Sequence, residues 1–434
     1  MSQPARVSAR RLSAPQAHTL AYRGLLLFTI LLYLRPNELL PIGTFPIVRI
    51  ITLATLVIFF VERLGQGGPI SVIPRPFKYL LAVAGLTILS IPIGLDPAAS
   101  FGSFIDLFLK TLLVFLLTIN VVTSFRRLRL LMEVTVVCAA VVGLLTLSEY
   151  AQGRNLVEDF RAAGALGGIF GNPNDLALAM NLLLPIAVGL GLGRPRPSSK
   201  LLYFGCAAVL AMTVVITQSR AGFLTIVIAS AFFLVQLGRR YPAAWALGTL
   251  AAVGLLAATP GRVLTMFDAS GGNVSAAESA SARFELMKRS LEVAGANPIR
   301  WLFGVGLENF HIVSIKELVG HNSYLQVFNE IGLPAMIFYV LFLVSVIRIT
   351  ARIARRYRRV RGYREVWLTA VAIETSLAAY AVGSFFASVA FHWYLYYPAA
   401  FAVCLQQLLA RTERLPAAQK EVTPRVWYLR RVQH

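Results

Sequence analysis

Three side chains in this sequence combine the chemistry that is needed to act on an anionic substrate. His321 is followed by Asn322 where apolar sequence resumes, and an imidazole with a pKa of about 6.5 suits a general base at neutral pH. Arg220 begins an apolar run, where an arginine is costly unless it faces a cavity or a bound anion. Arg283 lies in a polar interval between two apolar runs. These residues predict a site that binds an anion and accepts a proton.

The polar interval runs from Thr259 to Ala335, and its two central arginines differ in their local partners. A helix through this interval places Glu285 four residues before Arg289 and Glu292 three residues after it, so the charge of Arg289 is satisfied along the helix surface. Arg283 has no acidic residue at these spacings. We therefore expect Arg283 to meet an external anion.

The composition identifies the class of protein that must position these residues. Hydrophobic residues make up 57 % of the chain, charged residues make up 14 %, and the mean hydropathy is +0.68. These values predict an all-α polytopic membrane protein with about twelve transmembrane helices, at roughly 20 residues per span. The apolar runs lie at 20–34, 44–61, 78–95, 104–124, 129–149, 175–192, 201–217, 223–238, 243–258, 334–350, 366–390 and 394–410.

The basic charge of the chain indicates its orientation in the membrane. The formal net charge is +21, but most of the 41 lysines and arginines fall on one side of the predicted helices, as the positive-inside rule requires. We therefore predict that both termini are cytoplasmic and that the basic segments meet anionic membrane lipids, not nucleic acid. The predicted organisation is a cytoplasmic tail (1–18), nine helices (19–258), a long loop (259–322), three helices (323–410) and a basic cytoplasmic tail (411–434). His321 is predicted to open the tenth membrane span.

The segments on the far side of the predicted membrane bring the informative residues together. They are 150–174, 218–220, the long loop 259–322 and a short hairpin at 392–394. An amphipathic helix in the long loop carries Phe284, Met287 and Leu291 on one face and ends at Gly295. We expect the loop to be partly helical and to pack as a lid over the membrane helices.

Metal chemistry has no obvious ligands in this sequence. The far side carries no Asp-x-Asp pair and no cluster of histidine and glutamate with metal-ligand spacing, so we predict neither a metal nor another cofactor. The three cysteines, Cys138, Cys206 and Cys404, all lie in apolar runs and indicate core packing.

Polar residues at or within the predicted helices allow other interpretations. The turn before the sixth helix offers Asn174 or Asp175 as its N-cap, and Asn174 can also line a cavity. Glu374 and the pair Asp106 and Lys110 lie inside predicted helices, which leaves a solute transporter as an alternative. A transporter, however, concentrates polar residues near the midplane of the bilayer, whereas this chain concentrates them at one surface.

Four elements of the sequence recur together in one group of enzymes. They are His321-Asn322 followed after nine residues by Gly332, Arg220 to Leu224 in the pattern Arg-x-x-x-Leu, Phe170 to Asn174 preceded by Arg161, and Gly304 to Phe310. With these elements the chain resembles, over about residues 150–345, the O-antigen ligase and polymerase superfamily of bacterial envelope glycosyltransferases. The ligase signature usually ends with Gly, Thr or Tyr where this chain has Ala335, and this departure slightly favours a polymerase over a ligase.

The resemblance implies a GT-C-like enzyme of lipopolysaccharide biosynthesis in the bacterial inner membrane. Such an enzyme moves a glycan from undecaprenyl diphosphate to a hydroxyl of lipid A-core on the periplasmic face, without a metal or nucleotide sugar. Arg220 and Arg283 would bind the diphosphate, because a guanidinium offers planar, bidentate donors and keeps its charge. His321 would take the proton from the acceptor hydroxyl. Further candidates for substrate contacts are Arg161, Asn174, Asn322 and Arg289.

Two alternatives share this chemistry and differ in the acceptor. A polymerase would transfer the glycan to another lipid-linked glycan. A protein O-glycan ligase would transfer it to a polypeptide.

Overall fold

The computed structural model describes residues 18–36, 47–65, 71–158, 160–241, 274–314 and 321–413, with side chains in the helix that begins at Val274 described from residue 284 onward. Within these ranges the chain is almost wholly helical. The one sheet there is an antiparallel pair of two-residue strands, β1 (Leu156–Val157) and β2 (Arg161–Ala162). The predicted all-α class is therefore confirmed.

Sixteen α-helices make up the described part of the fold. The first nine are α1 (Thr19–Leu34), α2 (Ile47–Leu64), α3 (Arg75–Ser90), α4 (Pro97–Ser103), α5 (Leu109–Val121), α6 (Phe125–Ala151), α7 (Pro173–Gly193), α8 (Pro197–Ile216) and α9 (Arg220–Gly238). A π-helical turn, Phe104–Phe108, joins α4 to α5. The remaining helices are α10 (Val274–Gly295), α11 (Pro298–Phe303), α12 (Phe310–Val313), α13 (Ser323–Ile331), α14 (Leu333–Tyr357), α15 (Arg364–Gly383) and α16 (Trp393–Glu413).

Many of these helices are long and apolar enough to cross a membrane. Eight such segments occur among the described residues, and every predicted apolar run that falls within the described ranges overlaps a helix. The run at 243–258 lies outside the described residues. The polytopic architecture is confirmed, and the total of about twelve spans stays a prediction.

Two helices, α7 and α15, form the centre of the helix packing. In the most apolar stretch of each helix, 83 % of the residues of α7 and 78 % of the residues of α15 are buried. The corresponding share is 39 % in α8, α9 and α14, which face outward. A Cβ on Gly189 of α7 would lie 2.6 Å from the Cβ of Ala372 on α15. The small residues allow the two backbones to approach closely, as is common in helix pairs within membranes.

Residues 274–314, which we call the lid, form a small helical layer against α13. The predicted helix ends at Gly295 as expected, and Phe284, Met287 and Leu291 do share one face of it. That face is exposed, however, and α10 packs through the opposite face with Leu286 and Val293. The packing contacts decide this orientation, because Val293 joins an apolar cluster that includes Val305 and Phe310.

The sequence after His321 departs from the prediction that this residue opens a membrane span. The nine-residue helix α13 comes first, and it is too short to cross a bilayer. It ends at Gly332, whose φ of 99° breaks the helix before the span begins in α14. The backbone carbonyl of Leu302 occupies the space that a side chain at Gly332 would need. The break therefore comes from close packing of the lid against the end of α13.

Candidate active site

Arg161 lies at the centre of a hydrogen-bond network that holds the turn before α9. Its Nε donates to the carbonyl of Thr217 at 3.2 Å, and its Nη2 donates to Oδ1 of Asn174 at 2.9 Å. Its Nη1 lies 3.2 Å from the carboxylate of Glu158. The side chain is buried, and these acceptors all belong to the protein. Arg161 therefore binds the turn that precedes Arg220.

The same network places Arg220 at the first position of α9. Ser219 is the N-cap of this helix, since its Oγ accepts from the backbone N–H of Gly222 at 3.1 Å. Ser219 Oγ also donates to Oδ1 of Asn174 at 2.7 Å. The half-buried Arg220 thus stands at a helix N-terminus, where the helix dipole adds positive potential to the guanidinium. This end of α9 is suited to bind an anion.

The N-cap of α7 differs from the prediction. The cap is Asn172, whose side chain accepts from the backbone N–H of Asn174 at 2.8 Å, and Pro173 is the first helical residue. Neither Asn174 nor Asp175 is the cap, because proline favours the first helical position and the cap precedes it. The side chain of Asn174 instead accepts the hydrogen bonds from Arg161 and Ser219.

Asn322 has a capping role at the start of α13. Its Oδ1 accepts from the backbone N–H groups of Tyr324 at 2.9 Å and Leu325 at 3.1 Å, and its side chain is buried. The neighbouring His321 is partly exposed and has a φ of 45°, a backbone conformation that is uncommon for residues other than glycine. Such conformations concentrate at functional sites. The capped helix therefore holds the partly exposed His321 just before its N-terminus.

The end of α15 lies between the two helix N-termini that carry Arg220 and His321. A Cβ on Gly383 would contact Leu178 of α7 and Thr225 of α9. On the other side, the hydroxyl of Tyr324 on α13 donates to the carbonyl of Ala381 at 2.7 Å. Arg220 and His321, which are far apart in sequence, are thus on elements that pack against the same short stretch of chain.

The segment after α15 fixes the first turn of α13. Ser323 Oγ donates to the carbonyl of Ala387 at 2.6 Å and accepts from the N–H of Val389 at 3.0 Å. The N–H of Ala390 donates to Oε1 of Gln326 at 3.3 Å. These bonds fix the first turn of α13, which directly follows the candidate base His321 and its neighbour Asn322.

The sequence predicts different partners for the two arginines of α10. Arg289 Nε donates to the carbonyl of Val313 at 3.0 Å, and its Nη1 lies 3.5 Å from the carboxylate of Glu292. The predicted pairing of Arg289 with Glu292 is present, and the arginine also joins α10 to α12. Arg283 lies on α10, and its side chain is outside the described set.

Two buried carboxyl groups near α13 were not predicted as site residues. Glu308 and Glu330 line one cavity of about 20 Å³ between the lid and α13. Burial raises the pKa of Glu308, and burial together with the nearby Glu308 raises the pKa of Glu330 well above its ordinary value. Glu330 follows Asn322 and Gln326 at intervals of four residues, so the helical spacing of polar side chains was the signal that could have identified it.

Metal ligands and cysteines can be assessed over the described ranges. No group of three or more His, Cys, Asp or Glu residues is placed there to hold a metal ion, and independence of a metal stays a prediction. Cys138, Cys206 and Cys404 are free and buried, which confirms that they pack in the core.

Comparison with known proteins supports the resemblance that the motifs predicted. The family model described as O-antigen ligase matches residues 205–340. This segment contains Arg220, Arg283, His321 and Gly332, whereas the elements at Arg161 and Phe170–Asn174 lie before it. No curated protein matches the chain significantly. The family is thus supported by the segment that holds the two helix N-termini of the candidate site.

Proposed function

We propose, from the match of residues 205–340 to the O-antigen ligase family, that the chain transfers a glycan from undecaprenyl diphosphate to a hydroxyl of lipid A-core. The reaction takes place on the periplasmic side of the bacterial inner membrane and uses no metal. The observation that carries this proposal is the placement of Arg220 and His321 on two helix N-termini that flank the end of α15. One terminus offers a cation for the diphosphate, and the other offers a base for the acceptor.

The proposed reaction is a displacement at the anomeric carbon of the glycan. The acceptor oxygen forms a bond to this carbon while the bond from the carbon to the diphosphate oxygen breaks. Undecaprenyl diphosphate leaves with the electron pair, and the imidazole of His321 takes the proton of the acceptor hydroxyl. Arg220 and Arg283 neutralise the negative charge that develops on the leaving diphosphate. The N-terminus of α9 adds to this stabilisation.

The other predicted contacts act as positioning residues in this proposal. Arg161 and Asn174 hold the turn that carries Arg220, and they do so with hydrogen bonds to protein groups. Asn322 caps α13 and thereby orients His321. Arg289 braces α10 against α12 and has a local acidic partner. Diphosphate binding is assigned to Arg220, which stands at the N-terminus of α9, and to Arg283 of α10.

Transfer assays on four alanine variants test these roles. The purified protein, reconstituted with the carrier-linked glycan and lipid A-core, should lose about 100-fold to 10,000-fold in kcat on His321→Ala. Arg220→Ala and Arg283→Ala should each greatly reduce kcat/KM for the donor. Arg289→Ala is the matched control, because it removes a lid arginine that already pairs with Glu292.

Two outcomes contradict the assignment. Undiminished transfer by His321→Ala at normal membrane levels rules out a base at this position. Equal losses in Arg283→Ala and Arg289→Ala show that local pairing does not distinguish substrate-binding arginines in the lid.

A polymerase is the second candidate, and Ala335 is the residue that favours it. Ala335 is fully buried near the start of α14, where ligases usually have another residue type. Labelled carrier-linked repeat units, supplied with and without lipid A-core, separate the two activities. Chain growth without lipid A-core identifies a polymerase, whereas labelling only of lipid A-core identifies a ligase. Transfer only to a polypeptide identifies a protein O-glycan ligase.

The charged residues that allowed a solute transporter as an alternative function have partners within the protein. Glu374 accepts a hydrogen bond from Gln236 at 3.2 Å. Asp106 pairs with Arg49 and lies 3.8 Å from Lys110. These contacts favour structural roles for the three predicted intramembrane charges. Uptake of solute by proteoliposomes without glycan transfer would instead support transport.

A further inference from the structure

The cavity between the lid and α13 holds several buried polar atoms without partners. Glu308, Gln326, Asn329, Glu330 and Ser388 all line it. Oε2 of Glu330, both Oδ1 and Nδ2 of Asn329, and Oγ of Ser388 have no hydrogen-bond partner among the described residues. Asn329 is only 1 % exposed and Glu330 only 4 % exposed. Each such unpaired buried group costs about 1–3 kcal/mol, which a bound molecule can recover.

The backbone around this cavity is well fixed. The N–H groups of Val305 and Gly306 donate to the carbonyls of Asn329 at 2.8 Å and Glu330 at 2.9 Å. Gln326 links the lid to the segment after α15. Its Nε2 donates to Glu308 at 3.2 Å, and its Oε1 accepts from the N–H of Ala390 at 3.3 Å. The unpaired atoms therefore lie on a rigid frame and cannot easily move to find partners within the protein.

The mixture of unpaired atoms indicates the chemical class of the ligand. Asn329 offers a donor and an acceptor, whereas Glu330 and Ser388 offer oxygens. A bare cation would use the oxygens but leave the amide N–H group of Asn329 unpaired. An anion would use the donors but leave the acceptor Oδ1 of Asn329 unpaired. A hydroxyl group donates one hydrogen bond and accepts two, so it can donate to Oδ1 of Asn329 and accept from Nδ2 of Asn329 and from the hydroxyl of Ser388.

The size and place of the cavity restrict the ligand further. A cavity of about 20 Å³ accommodates one or two groups of the size of a water molecule, so a sugar ring does not fit but a hydroxyl or hydroxymethyl group does. The cavity lies about 10 Å along α13 from its N-cap Asn322, since Asn329 follows this cap by seven residues. This helix carries the proposed base, whereas Arg220 of the diphosphate site lies on α9.

We propose that this cavity is an acceptor subsite in which Glu308, Asn329, Glu330 and Ser388 bind one hydroxyl or hydroxymethyl group of the acceptor glycan. The ring that bears this group lies outside the cavity, and a different hydroxyl of the acceptor reaches His321. The inference rests on the proposed glycan transfer and adds a determinant of acceptor specificity to it.

The substitution Asn329→Leu tests the subsite, because it removes both unpaired amide atoms and keeps a side chain of similar size. The KM for the acceptor used by the wild-type protein should rise at least tenfold, with kcat changed less than threefold and the donor KM unchanged. The melting temperature of the purified variant should not fall, since the side-chain atoms of Asn329 make no hydrogen bond to any described residue that the substitution would break. If Asn329 has only a structural role, the melting temperature should fall and the acceptor KM should stay unchanged.

Asn309→Leu provides the matched control. Asn309 is equally buried, but its Nδ2 donates to the carbonyls of Asp96 at 3.1 Å and Val305 at 3.2 Å. This substitution should lower the melting temperature. An unchanged acceptor KM in Asn329→Leu, or a rise in the donor KM instead, overturns the subsite while leaving glycan transfer intact. Absence of any transfer by the wild-type protein overturns the proposed function and the subsite together.

Discussion

At the scale of single residues, the partners of the arginines distinguish groups that build the site from groups that are proposed to bind substrate. The pairing of Arg289 with Glu292 could be predicted, because it depends only on helical spacing. The role of Arg161 could not be predicted, because it donates to Thr217, which is 56 residues away in sequence. Sequence motifs thus identified Arg161 as relevant, and only the tertiary contacts showed that it positions a turn.

The buried carboxyl groups beside α13 make the stability of the protein depend on pH. Burial and the nearby Glu308 raise the pKa of Glu330 in the folded protein well above the value of 4.5 that we take for the unfolded chain. The contribution of such a carboxyl group to the free energy of unfolding is fully present below pH 4.5. This stabilisation is lost as the pH rises through the folded pKa, by about 1.4 kcal/mol for each unit of the shift.

Glu330→Gln should therefore flatten the dependence of melting temperature on pH above about 4.5. The isosteric amide cannot ionise, so the variant should be more stable than the wild type at pH 8 and similar to it at pH 4.5. Identical profiles for the wild type and Glu330→Gln would contradict the raised pKa.

At the scale of elements, the junction of the lid with α13 and α14 depends on glycine. The sequence predicted a continuous span after His321, although Gly332 and the following Leu333-Pro334 are typical of a helix boundary. The break also depends on the backbone of Leu302, which approaches Gly332 from a distant part of the chain. Apolar periodicity cannot report such an approach, so the position of the break required the structure.

Gly332→Ala should destabilise this junction by about 2–4 kcal/mol. The φ of 99° is unfavourable for alanine, and the new Cβ would lie 2.1 Å from the carbonyl oxygen of Leu302. The melting temperature of the detergent-solubilised protein should fall by several degrees. Gly295→Ala is the control, because a Cβ at that position would meet no atom within 4 Å. Equal melting temperatures for the two variants would show that the lid is not packed against α13 as described.

At the scale of the whole molecule, composition alone was sufficient to predict a polytopic helical protein, because apolar runs of this length have few other stable arrangements. The convergence of the site was harder to predict. It depends on α15 packing between α9 and α13, and these contacts link residues that are far apart in sequence. The orientation in the membrane, in contrast, follows from charge, and it can be tested separately from the fold.

The distribution of basic residues predicts that the lid faces the periplasm and that the arginine-rich segment from Arg348 to Arg364 faces the cytoplasm. Single cysteines at Glu292 and Arg361, both exposed, can report these locations with a membrane-impermeant maleimide. The native cysteines are buried and should give little background. In cells with a permeabilised outer membrane, Glu292→Cys should be labelled at once, whereas Arg361→Cys should be labelled only after the inner membrane is disrupted. The reverse pattern would place Arg220 and His321 on the side of the nucleotide pools and exclude an acceptor presented in the periplasm.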